Sequence, residues 1–273
     1  MNLDTLAVIR AGYKPVQPTV RQSGGSVAYL EMLPDHRLQP FIHCYWQLKT
    51  SVPLENPFLY RVVADGCIDI FFEADRPEKS FVMGFCKQYT EFELDSVFNY
   101  VGVRFLPTMF PQLFKIDASS LSNRTEDLEA VIPSTARFVA ERFVPGLPTS
   151  AIRQQLDDYF LRHIARTDFN HDPRLYGAIA TIMQKSGVLT IEKDIDSGIS
   201  PRQLRRLFEY YIGDTAKTFS KIVRFQNILR AKPSTHSLRE NKLFYDAGYY
   251  DQAHFIKAFK SLYGVTPSRA FGR

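Results

Sequence analysis

Ser200-Pro201-Arg202-Gln203-Leu204-Arg205-Arg206-Leu207-Phe208 contains a complete helix start. Ser200 is a favoured N-cap, Pro201 suits the first helical position, and Gln203 can close a capping box. At 3.6 residues per turn Leu204, Leu207 and Phe208 share one face, while Arg202, Arg205 and Arg206 project from the other. Upstream, residues 191–197 with Gly198 at the bend read as a short helix and a turn. An aliphatic inner face, an outer face of three guanidiniums and a preceding helix and turn suit a DNA major groove. Arg pairs in bidentate fashion with guanine edges and also grips phosphates.

A second unit follows. Residues 241–248 supply a leading helix, and Asp251 then caps Gln252-Ala253-His254-Phe255-Ile256-Lys257-Ala258-Phe259-Lys260. Phe255, Ala258, Phe259 and Leu262 form the inward stripe, leaving Gln252, Ala253 and Lys257 at the start or on the outer face. Between the units Asp214 is expected to cap a helix of about 17 residues, 215–231, spanning roughly 25 Å. Such a spacer holds two reading helices near the ~34 Å of one DNA turn. The DNA contacts expected are therefore Arg202, Arg205, Arg206, Gln252, Ala253 and Lys257, with Ser200 and Asp251 capping near phosphates.

Charge supports this division. Residues 174–273 carry 17 basic and 8 acidic side chains, a balance of +9, whereas the preceding 173 residues carry 17 and 21, a balance of −4. A basic module that binds a polyanion, joined to a mildly acidic body, has this profile. The chain is 45% hydrophobic and 23% charged, which places it among globular proteins rather than disordered ones. No run approaches the roughly 18 apolar residues of a spanning helix, so no membrane partner is expected. Asp4 and the lack of an apolar run near the start argue against a cleaved export signal. Three cysteines, Cys44, Cys67 and Cys86, make no disulfide framework, and a cytoplasmic location is expected.

Outward from the helical third, the texture changes. Residues 60–63, 68–72, 80–83 and 100–105 are rich in β-branched and aromatic side chains and read as strands. Ala64-Asp65-Gly66 reads as a tight hairpin turn joining the first two. The expected fold is α+β and multidomain. Residues 1–27 form an irregular lead-in and 28–118 a β-rich barrel or sandwich. A helical connector at 119–166 offers a dimer contact, and 167–173 form a linker. Residues 174–273 form an all-α domain of two helix–turn–helix units joined by a linker helix.

Gly248-Tyr249-Tyr250-Asp251-Gln252-Ala253-His254-Phe255 and its continuation to Gly264-Val265-Thr266-Pro267 resemble the signature of the AraC/XylS transcription regulators. With the Ser200 unit, the resemblance covers about the last 90 residues. It implies sequence-specific binding to double-stranded DNA, with RNA polymerase as a further partner, and makes His254 a packing and capping residue. Residues 41–46, 63–69 and 101–105 resemble, more weakly, the sensor domain of one subgroup of that family. That implies a small-molecule or protein effector without naming it.

Other readings compete for single residues. Cys44, Cys67 and Cys86 lie 23 and 19 apart, which matches no zinc template, and His43 and Cys44 are expected on opposite strand faces. No metal or other cofactor is expected. Asp65 and Asp69 could serve acid–base chemistry, but no nucleophile or phosphate loop accompanies them, and no enzyme is expected. The alternative function is a ligand-binding or enzymatic β-domain with purely structural helices. If the β-domain encloses an effector, Trp46, Tyr60 and Arg104 are its expected lining: two aromatic walls and a charge for a carboxylate or phosphate. Pairing of Arg104 with Asp65 or Asp69 is the rival reading.

Overall fold

The computed structural model describes residues 3–18, 25–231 and 248–271. Eight strands and eleven helices occur among them, with one 3₁₀ turn at Ala118–Leu121. The strands are β1 (Val27–Met32), β2 (Ile42–Thr50), β3 (Phe58–Val62), β4 (Asp69–Glu73), β5 (Arg76–Met83), β6 (Thr90–Leu94), β7 (Asn99–Phe105) and β8 (Thr125–Asp127). Six form an antiparallel sheet in the order β1-β2-β7-β4-β5-β8, and β3 and β6 pair as a separate two-stranded sheet.

The larger sheet is covered on both faces. Ile42, Tyr45, Ile70, Phe72, Val82, Val101 and Val103 point into a core shared with the helices. Cys44, Trp46 and Leu48 point the other way, towards Tyr60 and Leu94 of the β3–β6 pair. Successive side chains of a strand face opposite sides, so a strand covered on both faces loses its polar alternation. Hence β7 is buried continuously from Val101 to Phe105.

Helix α1 (Leu3–Gly12) precedes the sheet, and α2 (Met109–Phe114) follows β7. Next come α3 (Leu128–Val131), α4 (Pro133–Arg142) and α5 (Thr149–Ile164), whose Phe138 and Tyr159 rings stack with centroids 3.9 Å apart. The basic third contains α6 (Pro173–Gln184), α7 (Ile191–Asp194), α8 (Pro201–Ile212), α9 (Ala216–Ala231), α10 (Gln252–Tyr263) and α11 (Pro267–Phe271). One continuous buried cluster runs from Leu6 through the sheet's helical face to Tyr263. None of the described helices is long and apolar enough to cross a membrane.

Four expectations need correction. Within the lead-in, residues 3–12 are helical rather than irregular: Leu6 and Ile9 of α1 are buried, and α1 packs on α6. Ala64-Asp65-Gly66 is not a hairpin turn, because β3 pairs with β6 while β4 pairs with β5 and β7. The segment crosses between sheets instead, and Gly66, at φ +82°, faces Phe219 of α9 at 3.3 Å from where a Cβ would sit. The sheet extends past residue 118, since β8 pairs with β5. Finally, the cap of α9 is Thr215, whose hydroxyl accepts from Thr218 N at 3.2 Å, while Asp214 pairs with Lys87. The leading helix expected at 241–248 lies outside the described residues except for Gly248.

At the centre of β7, Gly102 stands opposite Trp46, and a Cβ there would collide with the indole ring. Gly102→Ala is expected to destabilise the chain by about 1–3 kcal/mol through overpacking, seen as a lower urea midpoint.

Candidate functional site

The start of α8 is fixed by the local chemistry. Ser200 Oγ accepts from Gln203 N at 3.3 Å, and Gln203 Oε1 accepts from Ser200 N at 3.1 Å, closing the capping box. Leu204, Phe208 and Ile212 are buried, while Arg202, Arg205 and Arg206 are exposed. Arg205 donates to Glu209 at 2.7 Å, and no ion pair engages Arg202 or Arg206 among the described residues. At α10 the Asp251 carboxylate accepts from His254 N at 2.7 Å. Phe255, Phe259, Leu262 and Tyr263 are buried, and Gln252, Ala253 and Lys257 are exposed. The His254 ring lies edge-on to Tyr249, with centroids 5.5 Å apart. The two helices thus present exposed polar and basic N-terminal halves from apolar footings, joined by α9.

A second feature lies between the two sheets. A cavity of about 230 Å³ is lined by paired residues from six strands: Trp46 and Leu48, Tyr60 and Val62, Asp69 and Phe71, Phe81 and Met83, Phe92 and Leu94, Tyr100 and Arg104. Glu93 and Thr125 complete it. Trp46, Tyr60 and Arg104 are therefore brought together around one space. Arg104 is fully engaged with acids on one side: its Nη2 lies 2.9 Å from Asp69 Oδ2 and 3.6 Å from Asp65 Oδ2. Trp46 Nε1 also donates to Asp69, at 2.9 Å. Arg104 Nη1 is buried and has no hydrogen-bond partner among the described residues.

Burial and the nearby Asp65 push the Asp69 carboxyl up to about 6, although Arg104 and the Trp46 indole oppose the shift. Two acids share one guanidinium, so the surplus negative charge favours keeping a proton. His43 moves the other way, to about 4, because burial and the guanidiniums of Arg104 and Arg10 disfavour imidazolium.

Residues 196–273 match the profile of a family described as a helix-turn-helix domain, and residues 30–127 match a domain of unknown function (DUF6597). The C-terminal residues form an AraC-type helix-turn-helix domain. The chain is thereby a DNA-binding transcription regulator. Among solved structures it is similar to apo ToxT from Vibrio cholerae strain SCE256, at 11% identity over 90% of this chain and 96% of that one, with a TM-score of 0.40. ToxT from Vibrio cholerae O395 gives 14% identity over the same shares and a TM-score of 0.36. ToxT bound to (E)-4-(8-methylnaphthalen-1-yl)but-3-enoic acid gives 11% over 90% and 97%, with a TM-score of 0.37. No curated protein sequence matches the chain.

The β-domain grips the AraC-type domain at three places. Lys87 Nζ lies 2.5 Å from Asp214, and Ser122 Oγ donates to Gly213 O at the end of α8. Tyr89 N donates to Ser261 O at 3.3 Å and Ala64 N to Leu262 O at 3.2 Å, both near the end of α10. Between these, Gln226 of α9 donates to Ala64 O at 2.8 Å and accepts from Val16 N at 2.7 Å. Gln17 donates to Asp65 Oδ2 at 2.7 Å and exchanges bonds with Val63. The turn that carries Asp65 to Arg104 is thus the turn that meets α9.

Sequence reasoning missed Lys87, Gln17, Gln226 and most of the cavity. Strand alternation places the lining, at i and i+2 on β2 to β6 and at i and i+4 on β7, but it becomes readable only once the register of the two sheets is known. His43 and Cys44 also differ from expectation. His43 meets Tyr13 and Cys44 packs with Trp46, yet a bulge between Ile42 and Cys44 leaves a ring nitrogen, the Cys44 sulfur and a Glu31 oxygen within 4.8 Å of one another. Arg10 and Arg104 act electrostatically on this group, which disfavours a cation there.

Asp69 yields a pH prediction. Its folded value of about 6 exceeds the ordinary 3.8, so the folded chain holds the extra proton between those values. The contribution of this group to stability is therefore greatest at the acid end and is lost as pH rises through that window. Trp46 emission is expected to titrate with a midpoint near pH 6, and Asp69→Asn is expected to remove the transition.

Proposed function

We propose that this regulator reads two adjacent major-groove segments of duplex DNA through α8 and α10 in the cytoplasm. A ligand in the β-domain cavity sets its DNA affinity or its recruitment of RNA polymerase. The observation that carries the reading is the pair of capped helices with exposed basic or amide-bearing starts, Arg202 and Arg206 on one and Gln252 and Lys257 on the other. An α-helix fits the major groove, and residues near its N-terminus reach base edges. Ser200 and Asp251, as caps, set those starts close to the phosphates. Arg205, tied to Glu209, is placed to give up that partner for a phosphate.

Control by a ligand is supported by the short route from cavity to reader. Arg104 lines the cavity, touches Asp65, and sits one turn away from the Ala64 carbonyl that Gln226 holds. A ligand that shifts Arg104 relative to Asp65 acts on the contact with α9, and a difference in affinity between two arrangements is all that coupling requires. Helices α4 and α5 are the proposed place for a contact with a second copy of the chain. Residues 28–127, which include β8 and the cavity residue Thr125, are proposed as the sensor, 128–166 as the connector, 167–173 as the linker and 174–273 as the reader.

A mobility-shift assay with promoter fragments against random competitor tests the reading. Preference for a subset of fragments at moderate salt is expected; equal affinity for all sequences, or none, contradicts it. Arg206→Ala is expected to weaken specific binding by about 1–3 kcal/mol and relax preference at one base position. A uniform loss with a shallower salt dependence would move Arg206 to a phosphate.

A further inference from the structure

The cavity is partly open to solvent, and its volume sets the size of the group it can bury. A dry pocket of roughly 150 Å³ accommodates one benzene ring. At about 230 Å³, this one fits a single ring with a short substituent. Trp46, Phe71, Phe92 and Tyr100 supply aromatic walls, so the ring end is apolar.

The polar end is more selective. Asp69 Oδ2 already receives Trp46 Nε1 and Arg104 Nη2, each at 2.9 Å, and Oδ1 receives Arg104 Nε at 3.3 Å. Arg104 is only 3% exposed, yet its Nη1 finds no acceptor among the described residues. A buried guanidinium nitrogen with unused N–H groups is costly, and an acceptor reaching it removes that cost. Net charge then decides the acceptor's nature. Arg104 faces both Asp69 and Asp65, so with both acids ionised the centre carries one surplus negative charge. Glu93, exposed at the lining, adds another. A carboxylate ligand would enter beside like charges where screening is weak, and an ammonium would offer Arg104 no acceptor.

We infer that the cavity takes an uncharged, single-ring ligand with a hydrogen-bond acceptor, such as a carbonyl oxygen, to which Arg104 Nη1 donates. This rests on the reading of the cavity as the effector site, and it goes further by naming the ligand's class. The ring lies among Trp46, Phe71, Phe92 and Tyr100, and the acceptor reaches the Arg104–Asp69 pair. Arg104 then serves as the hydrogen-bond donor for a neutral group, its charge already balanced by the protein's own acids.

Four probes of similar size separate the contributions: acetophenone, ethylbenzene, benzoate and benzylamine, each titrated into the full chain at pH 7.5. Affinity is read by calorimetric titration. The indole N–H resonance of Trp46, the chain's single tryptophan, reports the place of binding. Acetophenone is expected to shift that resonance saturably and to bind about ten-fold tighter than ethylbenzene, the scale of one charge-assisted hydrogen bond after its desolvation. Benzoate and benzylamine are expected to bind at least about ten-fold more weakly than acetophenone. Benzoate or benzylamine equalling acetophenone overturns the uncharged class while leaving the cavity as a binding site. Ethylbenzene equalling acetophenone overturns the role of Arg104 Nη1. No heat and no resonance shift with any of the four removes the cavity as a site, and the inference with it.

Discussion

Arg104 sits almost wholly buried between Asp69, its cross-strand neighbour on β4, and Asp65, in the turn that leads into that strand. Burying a guanidinium is expensive, and here its attraction to two acids offsets much of the desolvation. Truncating Arg104 would leave the two acids without their shared cation, at a cost of about 3–5 kcal/mol for a fully broken pair. The constraint propagates. Asp65 must stay within reach of Arg104, so residues 63–67 hold one conformation. Asp65 Oδ1 accepts from Cys67 N at 3.1 Å, a side-chain turn that Asp forms readily, and Gly66 supplies the positive φ. With that turn fixed, Ala64 presents its N–H to Leu262 and its carbonyl to Gln226.

The β-domain and the DNA-binding domain are consequently not two bodies on a string. Gln226 is a polar group buried in α9 whose partners, Ala64 and Val16, lie outside the DNA-binding domain. Its presence on a buried face makes sense only if those segments stay docked, since an unpaired buried amide is costly. The segment read as a linker is also tied down: Asn170 N donates to Gln112 Oε1 at 3.0 Å, and Phe41 packs on Phe169. Both proposed reading helices meet the β-domain at their C-terminal ends, while their N-terminal halves stay exposed. Any ligand that favours a different docking must change both contacts together, and by linkage DNA must change the affinity for that ligand by the same factor.

How far the sequence carried the reading follows from the range of the interactions. The caps at Ser200 and Asp251, the apolar stripes of α8 and α10 and the basic outer face are written within four or five residues, so they were legible. Trp46, Tyr60 and Arg104 were picked for their chemistry, and the structure brings them to one cavity. Most of the lining was not legible because it depends on register: Phe71, Phe92 and Tyr100 converge only once β3–β6 is known to lie over the larger sheet. The turn at Ala64-Asp65-Gly66 has correct local turn chemistry, yet strand pairing is decided by distant partners, and the hairpin expectation failed there. Gln17, Lys87 and Gln226 carry no local mark at all. Their partners lie 46 to 210 positions away or across the interface. Helix α1 was read as irregular because its ten residues have little amphipathic pattern of their own, and its burial comes from α6.

A single core that includes the contacts of the Asp65 turn makes the cavity-bearing domain and the DNA-binding domain one cooperative unit. In differential scanning calorimetry of the full chain without DNA, one transition is expected, with calorimetric and van't Hoff enthalpies that agree. Two separable transitions, one for each domain, would show that the domains unfold independently and overturn the single unit.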